Sequence, residues 1–441
     1  MKWLKAGQYA ASRFAHLEAI RHFERGLAEL AALPEGSAQD RREIELQLAR
    51  GLSLFTAKGF TAVEAAQASY ARAHELAERQ GNQRQLFIAV NGLWQSANGV
   101  GRIFDCRRLS NRLKQLTAEN DDEELSLQAH HSAWTTCLFA GEPATAREHC
   151  EAGCRLYDPE RHRLHRQLYG PHDPGTCARY MSAQAHWLLG YPEQGAALGG
   201  DALASAERIA HPFSLSIALQ FHSMLHLNRG EPELALQRLE SAKALVAEQR
   251  FGFVMEPQLL RGAALNAQGA FEEAVACLRN GLATPIGSTR MRCYGFANLA
   301  HALTHQGVYA GALAAARDGL STAEKTGHRQ WEAELKRLEG VALSGLNRLE
   351  EGEKALAEAV GIAQSQKAKA FELRAATSRA RLWRDQGKQQ QAHDLLAPVY
   401  GWFTEAFDMR YLKEAKALLE ELAATKILVR RRPRFENCSE H

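Results

Sequence analysis

Between His130 and His186 the chain carries eleven histidines and cysteines: His130, His131, Cys137, His149, Cys150, Cys154, His162, His165, His172, Cys177 and His186. Imidazole nitrogens and thiolates are the ligands that zinc takes in tetrahedral sets, so this stretch is where metal chemistry would sit. Cys150-x-x-x-Cys154 puts two thiols on one face of a helix, and His162-x-x-His165 presents two imidazoles. Two observations argue for packing instead. Cys150 and Gly153 occupy the bulky and small positions of a recurring helical pattern described below, and no C-x-x-C pair occurs. A free cysteine behaves as a small buried hydrophobe. No metal ion and no cofactor is expected here.

The same stretch holds Asp158-Pro159-Glu160-Arg161 and Gly170-Pro171-His172-Asp173-Pro174-Gly175. Two prolines and two glycines within six residues predict a non-helical loop over 158–176. Loops held between rigid elements often carry binding residues, which makes His172, Asp173 and the nearby Arg179 candidates. The plainer reading is a spacer between two blocks of structure.

A third group is basic. Arg374, Arg381 and Arg384 are seven and three residues apart, which sets them on neighbouring stripes of one helix, and Arg337 lies further upstream. Guanidinium groups gathered on one face can clamp a carboxylate or phosphate through paired hydrogen bonds. The competing reading is a solvated face neutralised by Glu334, Glu372 and Asp385. A basic tail follows Thr425, with Lys426, Arg430, Arg431, Arg432 and Arg434 around Pro433, and is read as a disordered end over 426–441. There is no G-x-S-x-G elbow, no H-E-x-x-H pair and no strand context for Gly99-Val100-Gly101. No catalytic residue is assigned, and the chain is expected not to be an enzyme.

The elements that must position these groups repeat. Turn residues Gly190, Gly230, Gly269, Gly307, Asn347 and Gly387 are separated by 40, 39, 38, 40 and 40 residues, with weaker copies at Phe14, Gly59, Gly101 and Gly141. A period within roughly 20–50 residues marks a solenoid. Offsets 5, 9 and 12 after the turn carry small or apolar residues, as in Ala274, Leu278 and Gly281 or Ala312, Ala316 and Gly319. Those offsets share one helical face. A small residue also stands seven places before each turn (Ala183, Ser223, Gly262, Ala300, Gly340 and Ala380), where the first helix of a pair would approach the second. Pro143, Pro192 and Pro232 lie two places past their glycines, where a helix's first turn tolerates a missing N–H. The expected fold is an all-α, right-handed solenoid of about ten antiparallel helix hairpins. Its predicted divisions are N-terminal repeats over 1–157, the loop over 158–176, C-terminal repeats over 177–425 and the tail.

Composition narrows function by exclusion. Lysine and arginine number 54 against 51 acidic residues, a net charge of +3 that does not by itself argue for a nucleic-acid surface. No apolar run approaches the roughly 18 residues of a membrane span. The first residues lack the apolar core of a signal peptide, and eight irregularly spaced cysteines outline no disulfide framework. A cytoplasmic setting, with no membrane and no nucleic-acid partner, is expected.

The offsets around the turns resemble the tetratricopeptide repeat, although the period is nearer 40 than the usual value of about 34. Resemblance to that class implies that the first helix of each hairpin lines a concave groove, which would present Arg337, Arg374, Arg381 and Arg384 together. The segments Tyr169–Arg179, His186–Pro192, Gln330–Leu335, Arg374–Ser378 and Leu395–Trp402 further resemble the helical C-terminal region of large bacterial signalling proteins. In that family an adenylate/guanylate cyclase domain and an AAA-type ATPase precede the repeats. The G-x-x-x-x-G-K-S/T phosphate loop and a cyclase core are both missing from this chain, so neither activity carries over. The chain looks like the repeat half alone, either a stand-alone product or a truncated gene. Two functions are therefore expected. The first is a scaffold that binds a peptide or partner domain in its groove. The alternative is the regulatory sensor module of a cyclase/ATPase system, with one of those domains as its partner.

Overall fold

Phe14, Gly59, Gly101, Gly141, Gly190, Gly230, Gly269, Gly307, Asn347 and Gly387 all adopt left-handed backbone, with φ between 54° and 89°. Each ends one helix so that the chain can reverse into the next. The computed structural model describes residues 2–34, 36–120, 122–252, 255–284 and 289–430. Among the described residues there is no strand. The helices pair in sequence: Lys2–Ser12 with His16–Ala31, Ser37–Lys58 with Val63–Gln80, Gln83–Gly99 with Ile103–Asn120, Glu123–Phe139 with Pro143–Leu156, and Pro174–Leu188 with Pro192–Arg208. The second block pairs Pro212–Arg229 with Pro232–Gln249, Pro257–Ala267 with Phe271–Ala283, Arg292–His305 with Tyr309–Thr326, Glu332–Gly345 with Leu349–Ser365, and Lys369–Asp385 with Gln389–Tyr400. Arg410–Arg430 is the last helix among the described residues and packs against Gln389–Tyr400 and Lys369–Asp385. The fold is an all-α, tetratricopeptide-like array of antiparallel hairpins.

Packing follows the small-residue pattern. Ala274, Leu278, Ala312, Ala316, Ala235, Leu239 and Ala242 are all buried at the helix contacts. A Cβ added to Gly262 would stand 2.6 Å from the Leu278 side chain, so only glycine permits that approach. Pro143, Pro192 and Pro232 each open their helix, as their spacing predicts.

The array curls tightly enough to meet itself. The Gln330 amide donates to the Phe139 carbonyl at 3.1 Å, and the Gly252 amide to the Thr56 carbonyl at 3.0 Å. Glu405 accepts from the Glu193 amide at 2.8 Å, and Phe14 packs on His211 with ring centroids 5.3 Å apart. Each of these contacts joins hairpins about five places apart in the array, one turn of superhelix. Trp187, Trp331 and Phe371 fill the axis where the turns meet, with centroids 5.5 Å apart for Trp187–Phe371 and 5.2 Å for Trp331–Phe371.

Two expectations need adjustment. The region read as a loop over 158–176 contains a short helix, His165–Leu168, and its last residues belong to the helix that begins at Pro174. Pro174 and Gly175 start that helix instead of breaking it, because Asp173 caps it by accepting from the Thr176 amide at 2.8 Å. At the other end the Arg410–Arg430 helix runs through the first five residues of the supposed tail. Arg431, Arg432, Pro433 and Arg434 lie outside the described residues. No helix among the described residues is long and apolar enough to cross a membrane.

Candidate functional site: a cationic cavity in the concave channel

The first helices of the last hairpins face inward and, with the Arg410–Arg430 helix, enclose a cavity of about 700 Å³. Pro212–Arg229 and Pro257–Ala267 close one side of it; Arg292–His305, Glu332–Gly345 and Lys369–Asp385 form its body. Trp331 and Tyr294, 4.9 Å apart between centroids, form part of its wall where the axis is plugged. Arg292–His305, Glu332–Gly345 and Lys369–Asp385 present to this cavity residues three, four or seven apart, the period that keeps them on one face, whereas Pro212–Arg229 contributes its last residues.

Charge defines the cavity. Arg229, Arg337, Arg374, Arg381 and Arg410 line it with three carboxylates, Glu334, Asp385 and Glu414. Glu334 is only 2% exposed and is gripped from two sides. Arg337 reaches it through Nε at 2.9 Å and Nη2 at 2.6 Å, while Arg374 makes one contact at 2.7 Å. Arg337 also donates to Ser378 Oγ at 3.1 Å, which joins the two helices. Burial alone would push the Glu334 carboxyl up, but the two guanidinium groups hold it below its ordinary value. The arginines divide unequally. Burial opposes charge on both; the two-pronged contact with Glu334 outweighs it at Arg337, whereas Arg374 remains lowered, repelled by Arg337. Of the two, Arg374 is the less compensated cation. Glu414 is shared in the same way, by Arg381 at 3.0 Å and Arg410 at 2.9 Å.

Neutral polar groups complete the wall. Asn266 Nδ2 donates to the Asn298 carbonyl at 3.1 Å, and His301 Nδ1 lies 3.0 Å from Asn266 Oδ1. Burial and then the nearby Arg337 and Arg374 hold His301 well below its ordinary pKa, so it faces the cavity as a neutral imidazole. Asn228 extends the row by donating to Gln184 Oε1 at 3.3 Å. A wall of amides, imidazole and excess arginine suits a ligand that carries both peptide-like polar groups and negative charge.

The predicted residues divide clearly. Arg337, Arg374 and Arg381 meet in the cavity; Arg337 is 8% exposed, and Glu334 and Asp385 pair with Arg374 and Arg384 as the competing reading expects. Arg384 does not line it; it turns to Asp385 at 2.8 Å and Glu421 at 3.0 Å. Its place is taken by Arg410, which sequence reading missed because no turn motif sets the register of the last described helix. Glu372 pairs with Lys369 at 2.6 Å and neutralises none of these arginines.

The loop candidates are held internally. Asp173 is 2% exposed and, besides capping its helix, accepts from the Tyr157 hydroxyl at 2.7 Å. Arg179 donates to the Gly175 carbonyl at 2.8 Å and lies over the Tyr157 ring. Asp173 is buried, and Arg179 is partly exposed. His172 meets His131, with their Nε2 atoms 3.2 Å apart, and Cys177 Sγ lies 3.4 Å from the same nitrogen of His131. The pairs singled out by spacing do not combine: Cys150 is fully buried in packing, and His162 and His165 stack edge to face at 4.7 Å between centroids.

No known protein-family profile matches the sequence. An uncharacterized protein of Rhizobium meliloti (strain 1021) is 26% identical over 385 residues, and the alignment covers 85% of this chain. The chain spans only 36% of that relative's length. Among solved structures, NprR in complex with its cognate peptide NprX matches with a TM-score of 0.45 at 12% identity, over 83% of this chain and 98% of that one. The signal-transduction ATPase of Pyrococcus horikoshii, described with a tetratricopeptide repeat sensor, matches with a TM-score of 0.42 at 14% identity, over 87% of this chain and 55% of that one.

Proposed function

We propose that the chain is a non-catalytic binding module that takes an extended peptide, or a segment of a partner protein, into its concave cavity through an anionic group. The observation that carries this reading is the cavity of about 700 Å³ in which five arginines face three carboxylates. Arg374 is the anchor for the ligand's negative charge, Arg381 and Arg410 flank the path to it, and the row of asparagines meets the peptide backbone. The binding takes place in the cytoplasm and involves neither membrane nor nucleic acid. The test is affinity capture on the immobilised chain, followed by titration of the captured partner. Val341→Trp, which fills the cavity, and Arg381→Glu, which reverses a charge on its wall, should each weaken binding about tenfold or more. Unchanged affinity in both folded variants would place binding elsewhere.

A second reading makes the same cavity the sensor of a bacterial cyclase/ATPase signalling system, with a cyclase or AAA ATPase domain as partner. The resemblance of Tyr169–Arg179 and Gln330–Leu335 to such repeat regions supports it, as does the greater length of the Rhizobium meliloti relative. In this reading a bound effector changes the curvature of the array. Co-purification with a neighbouring cyclase or ATPase frame, altered by Val341→Trp, would favour it; a partner of unrelated class would favour the scaffold.

A further inference from the structure

His131, His172 and Cys177 come from three places in the sequence and converge behind the cavity-bearing block. His131 belongs to the Glu123–Phe139 helix, His172 to the segment before Pro174, and Cys177 to the first turn of Pro174–Leu188. Their Nε2, Nε2 and Sγ atoms all lie within 4.8 Å of one another. The shorter separations are 3.2 Å between the imidazole nitrogens and 3.4 Å from sulfur to His131 Nε2. An ion held tetrahedrally at metal–nitrogen distances of about 2.0–2.1 Å and a metal–sulfur distance of about 2.3 Å needs ligand separations of about 3.3 and 3.5 Å. The two separations from His131 Nε2 match those values, and His172 and Cys177 lie within 4.8 Å of each other.

Hydrogen bonding alone accounts for the cluster less well. His131 Nδ1 lies 3.0 Å from Gln128 Oε1, while the Gln128 amide nitrogen is engaged by His165 Nδ1 at 2.9 Å. The Gln128 carbonyl oxygen can only accept, so His131 carries its proton on Nδ1 and turns its single Nε2 lone pair into the cluster. His172 Nε2 and Cys177 Sγ both approach that one lone pair, which accepts one good hydrogen bond. A cation between the three atoms would satisfy all of them. The Gln128 contact is also the kind of outer support that fixes a ligating imidazole's tautomer and orientation. Trp134 stacks on the His131 ring at 4.9 Å between centroids and holds it in place. His172 is the half-buried member, which leaves an ion a way in. Burial pushes the Cys177 thiol up to about 12 against the hydrogen-bonding side chains of Tyr180 and Trp134, so the ion must supply the stabilisation of the thiolate.

We propose that His131, His172 and Cys177 form a site for a zinc-class divalent ion, with a water molecule in the fourth position. The site pins the helix that begins at Pro174 to the hairpin before it. Binding deprotonates Cys177, whose proton leaves to solvent, and no oxidation or reduction is involved. This inference is independent of what the concave cavity binds.

The test loads the full chain with zinc, removes the excess by gel filtration and measures metal by elemental analysis. Cobalt loading then reports on the sulfur through its near-ultraviolet thiolate-to-cobalt charge-transfer band. One ion per chain is expected, with the charge-transfer band present in the parent and in Cys154→Ser, whose thiol lies outside the cluster. Cys177→Ser should lose the band, and His172→Ala, at the half-buried position, should lose the retained ion. A parent chain that is helical by circular dichroism yet retains no ion overturns the proposal. So does a cobalt–thiolate band that survives in Cys177→Ser.

Discussion

Glu193 and Glu405, 212 residues apart, each accept a backbone N–H from the other's segment. Glu405 Oε1 takes the Glu193 amide at 2.8 Å, and Glu193 Oε1 takes the Ala406 amide at 3.0 Å. The first contact caps the Pro192–Arg208 helix with a residue from the far end of the array. A carboxylate at a helix N-terminus is favourable both as an acceptor and through the helix dipole. The reciprocal pair therefore fastens one turn of the superhelix onto the next, and it does so beside the last described helix, which walls the cavity. Replacing Glu405 with Ala is expected to cost about 1 kcal/mol in denaturant unfolding. Replacing exposed Glu350, which makes no such contact, should cost almost nothing; equal effects would mean that the turns are not fastened there.

The repeat register sets a second expectation. Ala274 is fully buried where one helix crosses another, so Ala274→Leu forces a larger side chain into a closed contact. The expected cost is about 1–3 kcal/mol. Lys354→Leu, at an exposed position of a later hairpin, should leave the unfolding midpoint within about 0.5 kcal/mol of the parent. Equal losses would show that offset 5 is not the packing face.

Glu334 compensates the buried Arg337 and the half-buried Arg374 at once. Glu334→Gln keeps the shape but removes the charge and should destabilise the fold by about 3–5 kcal/mol, the scale of a broken buried pair. Adding Arg374→Met to that variant should restore part of the loss, because it removes the less compensated cation. A neutral effect of Glu334→Gln on the melting temperature would mean that solvent already screens the pair.

Much of this was legible beforehand, and the boundary has physical causes. Turns were readable because positive φ selects Gly and Asn, and even Phe14 was found through its spacing from the others. The inward face of the later hairpins followed from the resemblance to the tetratricopeptide repeat, while the spacing of Arg374 and Arg381 by two helical turns set them on one stripe. Three features were hidden. Arg410 and Glu414 lie on a helix with no turn motif to set its register. The union of His131 with His172 and Cys177 depends on how a proline-containing segment folds back, which local spacing does not encode. The closure through Glu193 and Glu405 depends on the curvature accumulated over five hairpins, a sum of small rotations invisible in any one repeat.

Acid should weaken the fold through buried histidines, and His211 is a clean probe. Its Nδ1 accepts from the Ser214 amide at 3.3 Å to cap the Pro212–Arg229 helix, and burial lowers its pKa to about 3. The unfolded chain binds a proton near the ordinary value of 6.5, the folded chain only near 3. Between those values the unfolded state holds more protons, so stability is full above pH 6.5 and falls as pH drops toward 3. His211→Asn keeps a capping acceptor without a titrating group. Its melting temperature should fall less than the parent's between pH 6.5 and pH 4. Parallel curves for the two proteins would remove His211 from the acid response.

The concave cavity as the binding surface is tested most directly by hydrogen–deuterium exchange of the chain with and without a captured partner. Added protection is expected along the inward helices Arg292–His305, Glu332–Gly345 and Lys369–Asp385 and at the start of Arg410–Arg430, lost in Val341→Trp. Protection confined to the outward helices Tyr309–Thr326, Leu349–Ser365 and Gln389–Tyr400, unchanged by Val341→Trp, would contradict it.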